Sequence, residues 1–292
     1  MRRKITMYKL LYTPNVPFDM SDWEKKKITK VFAGMNCVMA ITETGETLQK
    51  IRDTELMART QFWKRVRQIS ISKWAEGAAI GLIEDGTCMI SKRPIRRLCK
   101  KFNLDFEHIN NTVKSWTDVV QVEASDAFFA LCADGTVRCV SFCERNSAEY
   151  QDVACWRDVV RIVTGVQNSV FGITKSGKIL VAGYNAMHAK TKPSNYNDII
   201  DLYPTGVECP SLHVLNTEGR ILDECDQSSP SKLLKLDGHF NHELFALTDS
   251  GQVVDLSGNS TKSVFPDGYR IVSFAVGDWN YQNSFIIAVA EK

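Results

Sequence analysis

The chain has 292 residues, of which 44% are hydrophobic and 24% are charged, values that are ordinary for a globular protein. No apolar run reaches the roughly 20 residues of a membrane-spanning helix. The N-terminal residues lack the apolar core and small-residue cleavage site of a signal peptide. We therefore expect a protein of the cytoplasm, or of the nucleus in a eukaryote, with no membrane span.

The net charge of +2 hides an asymmetry along the chain. Residues 1–101 hold 21 Lys and Arg against 10 Asp and Glu, whereas residues 102–292 hold 15 against 24. One sector of the fold is therefore expected to be positive and another negative. Such a charge distribution orients a charged protein partner during encounter.

Nine cysteines are scattered along the chain, and no two of them form a Cys-x-x-Cys pair. An odd number without paired spacing indicates free thiols in a reducing compartment, mostly as small core residues. The spacing also gives no zinc site.

An aromatic-led segment recurs about every forty residues, a period typical of repeat architectures. It reads WTDVVQVEAS from Trp116, WRDVVRIVTG from Trp156 and YNDIIDLYPTG from Tyr196. The same phase in each repeat predicts that Trp116 and Trp156 pack between repeats rather than contact a ligand.

A second marker is an apolar strand, a turn with Gly, and another strand. Gly supplies the positive φ that tight hairpins require. Each repeat is thus predicted to hold a strand of the VVRIV type, a loop, a second strand, a Gly turn and a third strand, with a weaker fourth strand in the connector. The turn glycines are Gly45, Gly86, Gly135, Gly177, Gly219 and Gly251.

Seven repeats fill the chain, and the last one stops after its second strand. The N-terminal segment 4–12 has strand character but no repeat of its own. We predict a single all-β domain over residues 1–292, a seven-bladed β-propeller closed by the N-terminal strand pairing with the last blade. The blades are expected near residues 23–61, 62–112, 113–153, 154–194, 195–229, 230–264, and 265–292 together with 1–12.

The repeat resembles that of the regulator of chromosome condensation family, and its compactness is similar to bacterial members. The segments ITKVFAGMNCVMAITETGETL, VVRIVTGVQNSVFGITKSGKIL and LKLDGHFNHELFALTDSGQVV carry the resemblance. It implies the seven-bladed propeller. The family's loop histidine is replaced by Cys37, Ala127 and Ser169, which argues against transferring the nucleotide-exchange activity of the founding member. The repeats lack the Gly-His…Trp-Asp spacing of WD propellers and the Gly-Gly pairs of kelch propellers.

Enzyme motifs are absent from the sequence: there is no phosphate loop, dinucleotide fingerprint, Gly-x-Ser-x-Gly or His-Glu-x-x-His. His239 and His242 lie three apart without a third ligand, so we expect no metal, no cofactor and no catalytic residues. An enzyme using carboxylates at the central channel is left as an alternative.

The loops between the first and second strands of all repeats should lie on one face of the ring. Aromatic residues with polar neighbours on a rigid scaffold are typical of protein-binding hot spots. The alternative is that the aromatic rings pack inward over blade junctions. The predicted partner-binding residues are Trp74, Glu76, His239, Phe240, His242, Asp278, Trp279 and Tyr281.

An insertion at residues 92–111 begins with KRPIRRLCKKF, in which apolar residues recur at helical spacing. This pattern predicts a basic amphipathic helix docked on the ring. Its basic residues are Arg93, Arg96, Arg97, Lys100 and Lys101. They would meet an acidic protein or nucleic acid, or else form a solvated face.

These features together predict a non-enzymatic protein-interaction module that binds its partner through the aromatic loop face. Two alternatives are a guanine-nucleotide exchange factor-like regulator of a small GTPase, which the resemblance implies, and nucleic-acid or chromatin association through the basic sector.

Overall fold

The computed structural model describes residues 8–57, 63–143, 148–165, 169–183, 196, 198–205, 211–222, 231–238, 243–257, 262–279 and 283–291. Within these ranges the chain forms seven antiparallel sheets and two α-helices. The fold is therefore mostly β, as predicted.

Sheets 1 to 6 are built from strands that follow one another in the chain. Sheet 1 contains β2 (Ile28–Gly34), β3 (Cys37–Thr42) and β4 (Thr47–Ile51). Sheet 2 contains β5 (Val66–Ile71), β6 (Ala79–Ile83) and β7 (Cys88–Ile90). Sheet 3 contains β8 (Val119–Ala124), β9 (Ala127–Cys132) and β10 (Val137–Ser141). Sheet 4 contains β11 (Val159–Thr164), β12 (Ser169–Thr174) and β13 (Ile179–Gly183). Sheet 5 contains β14 (Ile199–Thr205) and β15 (Ser211–Asn216). Sheet 6 contains β16 (Leu233–Gly238), β17 (Leu244–Thr248), β18 (Val253–Asp255) and β19 (Lys262–Ser263), so among the described residues a fourth strand occurs in this sheet alone.

Sheet 7 joins the two ends of the chain. It contains β20 (Arg270–Trp279), β21 (Asn283–Glu291) and, on the far side of β21, β1 (Tyr8–Tyr12). The register runs antiparallel from Tyr8 opposite Glu291 to Tyr12 opposite Ile287. Residues 4–7 of the predicted N-terminal strand lie outside the described residues.

The six turn glycines adopt the predicted left-handed conformation. The carbonyls of four of them also accept a hydrogen bond from the first strand of the next sheet: Gly86, Gly135, Gly219 and Gly251. Gly135 has φ +82°, and its carbonyl accepts a 3.0 Å hydrogen bond from the Val159 N–H of sheet 4. A Cβ on Gly135 would lie 3.1 Å from the Asp158 backbone. Glycine is therefore required both by the hairpin and by the close approach of the neighbouring sheet.

Every first strand (β2, β5, β8, β11, β14, β16 and β20) has a register shift near its start, as at Val159/Arg161 in β11. A bulge at this place re-aims the residues that follow it. Residues of all seven first strands line one cavity of about 340 Å³. The sequence pattern did not indicate these bulges.

Apolar clusters hold neighbouring sheets together, because each sheet buries residues on both of its faces. Seven such clusters are found among the described residues. Six of them join sheets with consecutive numbers, and the seventh, around Ala275 and Val31, joins sheet 7 to sheet 1. Trp116 and Trp156 are buried between sheets 2 and 3 and sheets 3 and 4, which confirms their predicted packing role. Five of the seven described cysteines are buried, which agrees with the expected core role of the thiols.

The insertion forms two helices, α1 (Lys92–Phe102) and α2 (Phe106–Lys114). In α1, Ile95 and Cys99 are buried while the basic residues stay exposed, so the predicted amphipathic helix is confirmed. The helix α2 was not predicted. Asp105 caps its N-terminus by accepting a 2.8 Å hydrogen bond from the Glu107 N–H.

The glycine contacts between sheets give a stability prediction. Gly219 and Gly268 both have positive φ, but a Cβ on Gly219 would lie 2.6 Å from the Leu233 nitrogen, whereas nothing lies within 4 Å of one on Gly268. We expect Gly268→Ala to lower the free energy of unfolding by about 1 kcal/mol through backbone strain alone. Gly219→Ala should cost about 3 kcal/mol, because the neighbouring sheet must also shift. Urea unfolding of both variants measures this, and equal losses would contradict it.

Candidate functional site

Side chains from the first strands bridge neighbouring sheets across the central cavity. The Gln68 side chain accepts a hydrogen bond from the Val122 N–H (3.2 Å) and donates one to the Val122 carbonyl (3.1 Å). Gln121 bonds both backbone groups of Ile162 in the same way, at 2.9 and 2.7 Å. These amides satisfy backbone groups that no neighbouring strand pairs.

In several other first strands, the residue equivalent to Gln68 and Gln121 is of another type but also bonds the backbone of the next sheet. A carboxylate oxygen of Asp201 accepts from the Leu236 N–H at 3.0 Å, and the Ser273 hydroxyl accepts from the Val31 N–H at 3.2 Å. The second of these bonds links sheet 7 to sheet 1. The third residue of each VVRIV-type strand thus supports sheet-to-sheet contact.

Lys73 connects opposite parts of the structure. It lies in the loop between β5 and β6, yet its Nζ is 2.5 Å from Asp237 Oδ1 in sheet 6. It also donates to the Tyr203 hydroxyl (2.7 Å) and to the Gly238 carbonyl (2.9 Å). Only 17% of the Lys73 side chain and 14% of the Asp237 side chain are exposed, so the ion pair is largely desolvated.

The charges in this cluster stabilise each other against burial. Burial opposes the ionisation of Asp237, but the ammonium groups of Lys73 and Lys235 hold its pKa below the ordinary value. Burial also opposes the charge on Lys73, yet the Asp237 carboxylate and Tyr203 raise its pKa above the ordinary value. Burial raises the pKa of Tyr203 to about 12.

Two further carboxylates on the first strands, Asp201 and Glu123, also have partners. Asp201 lies 2.8 Å from the Arg161 guanidinium, and burial raises its pKa although Arg161 opposes the rise. Burial likewise raises the pKa of Glu123, whose carboxylate accepts hydrogen bonds from Ser70 (3.0 Å) and Thr164 (3.2 Å). These groups hold strands together, and no group of three metal-ligating side chains occurs in the described part of the chain.

The predicted loop residues of sheet 2 pack against the insertion and against sheet 1. The half-buried Trp74 ring stacks on Phe102 of α1, with centroids 6.3 Å apart and planes 25° apart. The Glu76 carboxylate accepts hydrogen bonds from the Asp53 N–H (3.0 Å) and the Asn36 side-chain amide (3.4 Å).

The predicted loop residues of sheet 7 lie on the other side of Asn36. The Asp278 carbonyl accepts a 2.8 Å hydrogen bond from the Asn36 N–H, and the Asp278 side chain is buried. The half-buried Trp279 ring lies edge-on to Phe18 at 5.9 Å, and the Arg52 guanidinium lies 5.0 Å above it. Asn36 thus brings Glu76 and Asp278 together. His239, Phe240, His242 and Tyr281 lie outside the described residues.

All five predicted basic residues of α1 are exposed, and three of them have contacts that place them on two different flanks of the helix. Arg97 pairs with Asp53 at 2.7 Å, toward the loop residues. Arg93 and Arg96 line a groove on the other flank, where Arg96 also lies 3.4 Å from Glu107.

Sequence reasoning missed the cluster of Lys73, Tyr203 and Asp237. The fifth position of a first strand is polar at Tyr203 and Asp237, but it is polar at Ser70 and Glu123 of other repeats as well, so the position alone did not single out this cluster. The position also does not show which residue lies across the cavity.

No family model and no curated protein matches this sequence. Solved structures do match, and they show that the chain has the fold of the RCC1-repeat β-propellers, which confirms the predicted resemblance. Human WBSCR16 is 13% identical, with a TM-score of 0.61 over 91% of this chain and 87% of that one. Yeast RCC1 (Prp20), solved bound to Kap60, is 12% identical, with a TM-score of 0.59 over 91% and 80%. PorZ of Porphyromonas gingivalis, a surface component of the type-IX secretion system, has a TM-score of 0.51 at 14% identity, and the match spans 36% of its length.

Among the described residues, no helix has both the length and the apolar character needed to cross a membrane.

The ion pair across the cavity gives a prediction for stability and its pH dependence. Lys73→Met should lower the free energy of unfolding by about 3 kcal/mol at neutral pH, because it leaves a buried carboxylate without its cation. Since the pKa of Asp237 is lowered in the folded state, its contribution is present above the ordinary Asp pKa of about 4 and is lost as the pH falls through the folded value.

The measurement is urea unfolding of wild type, Lys73→Met and Asp237→Asn between pH 7 and acid conditions. The deficit of Asp237→Asn should shrink as the pH falls. The double variant should recover part of the loss of Lys73→Met. A deficit of Asp237→Asn that does not change with pH would show that the pair contributes no charge interaction.

Proposed function

We propose that the chain is a closed seven-bladed β-propeller that works as a non-enzymatic module binding an acidic protein partner. The contact is made by what we call the loop surface, which consists of Trp74, Phe102, Arg97, Lys101 and Trp279. It combines the predicted aromatic loop face with one flank of the predicted basic helix.

Three observations support a closed ring. The apolar clusters join the sheets in sequence and then join sheet 7 to sheet 1. One cavity is lined by the first strands of all seven sheets. The N-terminal strand β1 extends the last sheet in register. A closed ring places equivalent loops on one face, which the proposed binding mode requires.

The stacking of Trp74 on Phe102 is the observation that carries the proposal. It joins the loop of sheet 2 to α1, so that the aromatic and basic parts form one continuous surface. Arg97 reaches Asp53 from the same helix, and the neighbouring Arg52 lies over the Trp279 ring. The surface therefore runs from α1 across sheet 1 to sheet 7.

The chemistry of this surface favours an acidic partner. Arg97 is 64% exposed, and Lys100 and Lys101 beside it are exposed as well. Half-buried Trp rings present an apolar face with an indole N–H, a combination that protein interfaces use as anchors. Cations around such anchors attract carboxylates and speed encounter at low salt.

The state of two largely buried carboxylates, Asp237 and Asp201, supports a binding role rather than catalysis. Asp237 and Asp201 each pair with a cation and also accept hydrogen bonds from backbone N–H groups of neighbouring sheets. A catalytic acid or base needs a proton that it can exchange with a substrate. The exchange-factor alternative stays a prediction of the family resemblance, since a likeness at 12% identity concerns the fold alone.

Substitutions on the loop surface give the test. We expect Trp74→Ala and the double variant Arg97→Glu/Lys101→Glu each to weaken binding of the native partner at least about tenfold, because a hot-spot aromatic or two attractive charges are lost. The partner is identified by affinity capture from the native source with mass spectrometry, and its affinity is then measured by calorimetry.

The matched control is Lys175→Glu/Arg220→Glu, which makes the same charge change at exposed positions of sheets 4 and 5. It should bind the partner like wild type. Melting curves establish that all variants are folded. Full affinity of both loop-surface variants would refute the proposed contact.

A further inference from the structure

A second site lies at the edge of sheet 2, away from the central cavity. A groove of about 680 Å³ follows β7, a volume within the range of ligand-binding clefts. Its lining includes Trp63 and Met89, together with Asn110 and Val113 of α2. Consecutive residues from Cys88 to Arg93 also line it, so the groove runs along the edge of the strand.

The backbone of β7 is open toward this groove. Ser91 N–H donates to the Ala79 carbonyl, and Ile83 N–H donates to the Thr87 carbonyl, in the ladder with β6. Antiparallel alternation then directs the N–H and C=O groups of Cys88 and Ile90 away from β6. Among the described residues, β7 is the last strand of its sheet. Such an edge can accept another strand.

The groove is strongly cationic. The charged side chains that line it, among the residues described, are Lys92, Arg93, Arg96 and Lys114, with no carboxylate. Arg96 lies 3.4 Å from Glu107, and its guanidinium lies 4.5 Å above the Phe106 ring. These cations favour an acidic ligand, and the apolar part of the lining can contact one apolar side chain of that ligand.

We propose that this groove binds an extended acidic segment of a partner protein, whose backbone pairs with β7 and whose apolar side chain packs against Met89 and Trp63. The site goes beyond the proposed function, because it uses none of the loop-surface residues. Burial raises the pKa of Cys88 to about 12, which keeps the thiol protonated and fits binding rather than thiol chemistry.

The probe is a short fluorescein-labelled peptide of alternating Glu and Val residues with one central Phe, measured by fluorescence anisotropy on the full chain. We expect saturable binding that Arg93→Glu/Lys114→Glu weakens at least about tenfold. The same peptide with N-methyl groups on alternate backbone nitrogens should bind as weakly, because it cannot pair with β7. The control Lys175→Glu/Arg220→Glu should bind like wild type.

Three results would overturn the proposal. These are no binding of the peptide by wild type, equal binding by folded Arg93→Glu/Lys114→Glu, and equal binding of the N-methylated peptide. Binding of a single-stranded oligothymidine with the same dependence on Arg93 and Lys114 would assign the groove to nucleic acid and also overturn it. The loop-surface variant Arg97→Glu/Lys101→Glu changes no residue that lines the groove, so the capture experiment with this variant tests the loop-surface proposal separately.

Discussion

The apolar contact between adjacent sheets is the interaction on which the rest of this structure depends. A small twisted sheet has two apolar faces and cannot bury either of them alone. Here each sheet shares one cluster with the sheet before it and another with the sheet after it, and Val31 and Ala275 belong to the cluster that returns from sheet 7 to sheet 1. These junctions bring the first strands close enough for side chains such as Gln68 to bond the backbone of the next strand.

The same arrangement explains why charged side chains such as Lys73 and Asp237 are largely buried at the cavity, whereas those of the insertion are exposed to solvent. First strands converge on the cavity, where Lys73 and Asp237 are desolvated and satisfy each other together with backbone groups. The insertion, in contrast, contributes no residue to the lining of the cavity and keeps its cations in solvent. Because less than a fifth of each side chain in this pair is exposed, the pair offers little surface to a partner. Recognition is therefore expected at the loop surface and the edge groove, where cations are exposed beside apolar groups.

The features that could be predicted from the sequence are those that depend on a few neighbouring residues. The turn at Gly135 was predictable because positive φ and hairpin alternation are properties of a few neighbouring residues. The helix α1 was predictable for the same reason, whereas α2 is short and polar, and only its cap Asp105 and the pair Ile109 and Val113 indicate it. The contacts of Lys73 with sheets 5 and 6 join residues more than a hundred positions apart and depend on how the sheets are arranged around the cavity. Similarly, the sequence could not decide between an exposed and a packed Trp74, because its neighbour Phe102 belongs to an insertion whose docking the repeat does not define.

The closure of the ring by β1 is the central claim, and an engineered disulfide tests it most directly. The Thr13 N–H bonds the Ile286 carbonyl, so alternation makes Leu10 and Val289 a pair without ladder bonds, whose Cβ atoms are close enough for a disulfide. In Leu10→Cys/Val289→Cys, oxidation should yield this bridge in peptide maps and raise the melting temperature, and reduction should reverse the rise. A folded variant that forms no such bridge under oxidising conditions would contradict the closed ring.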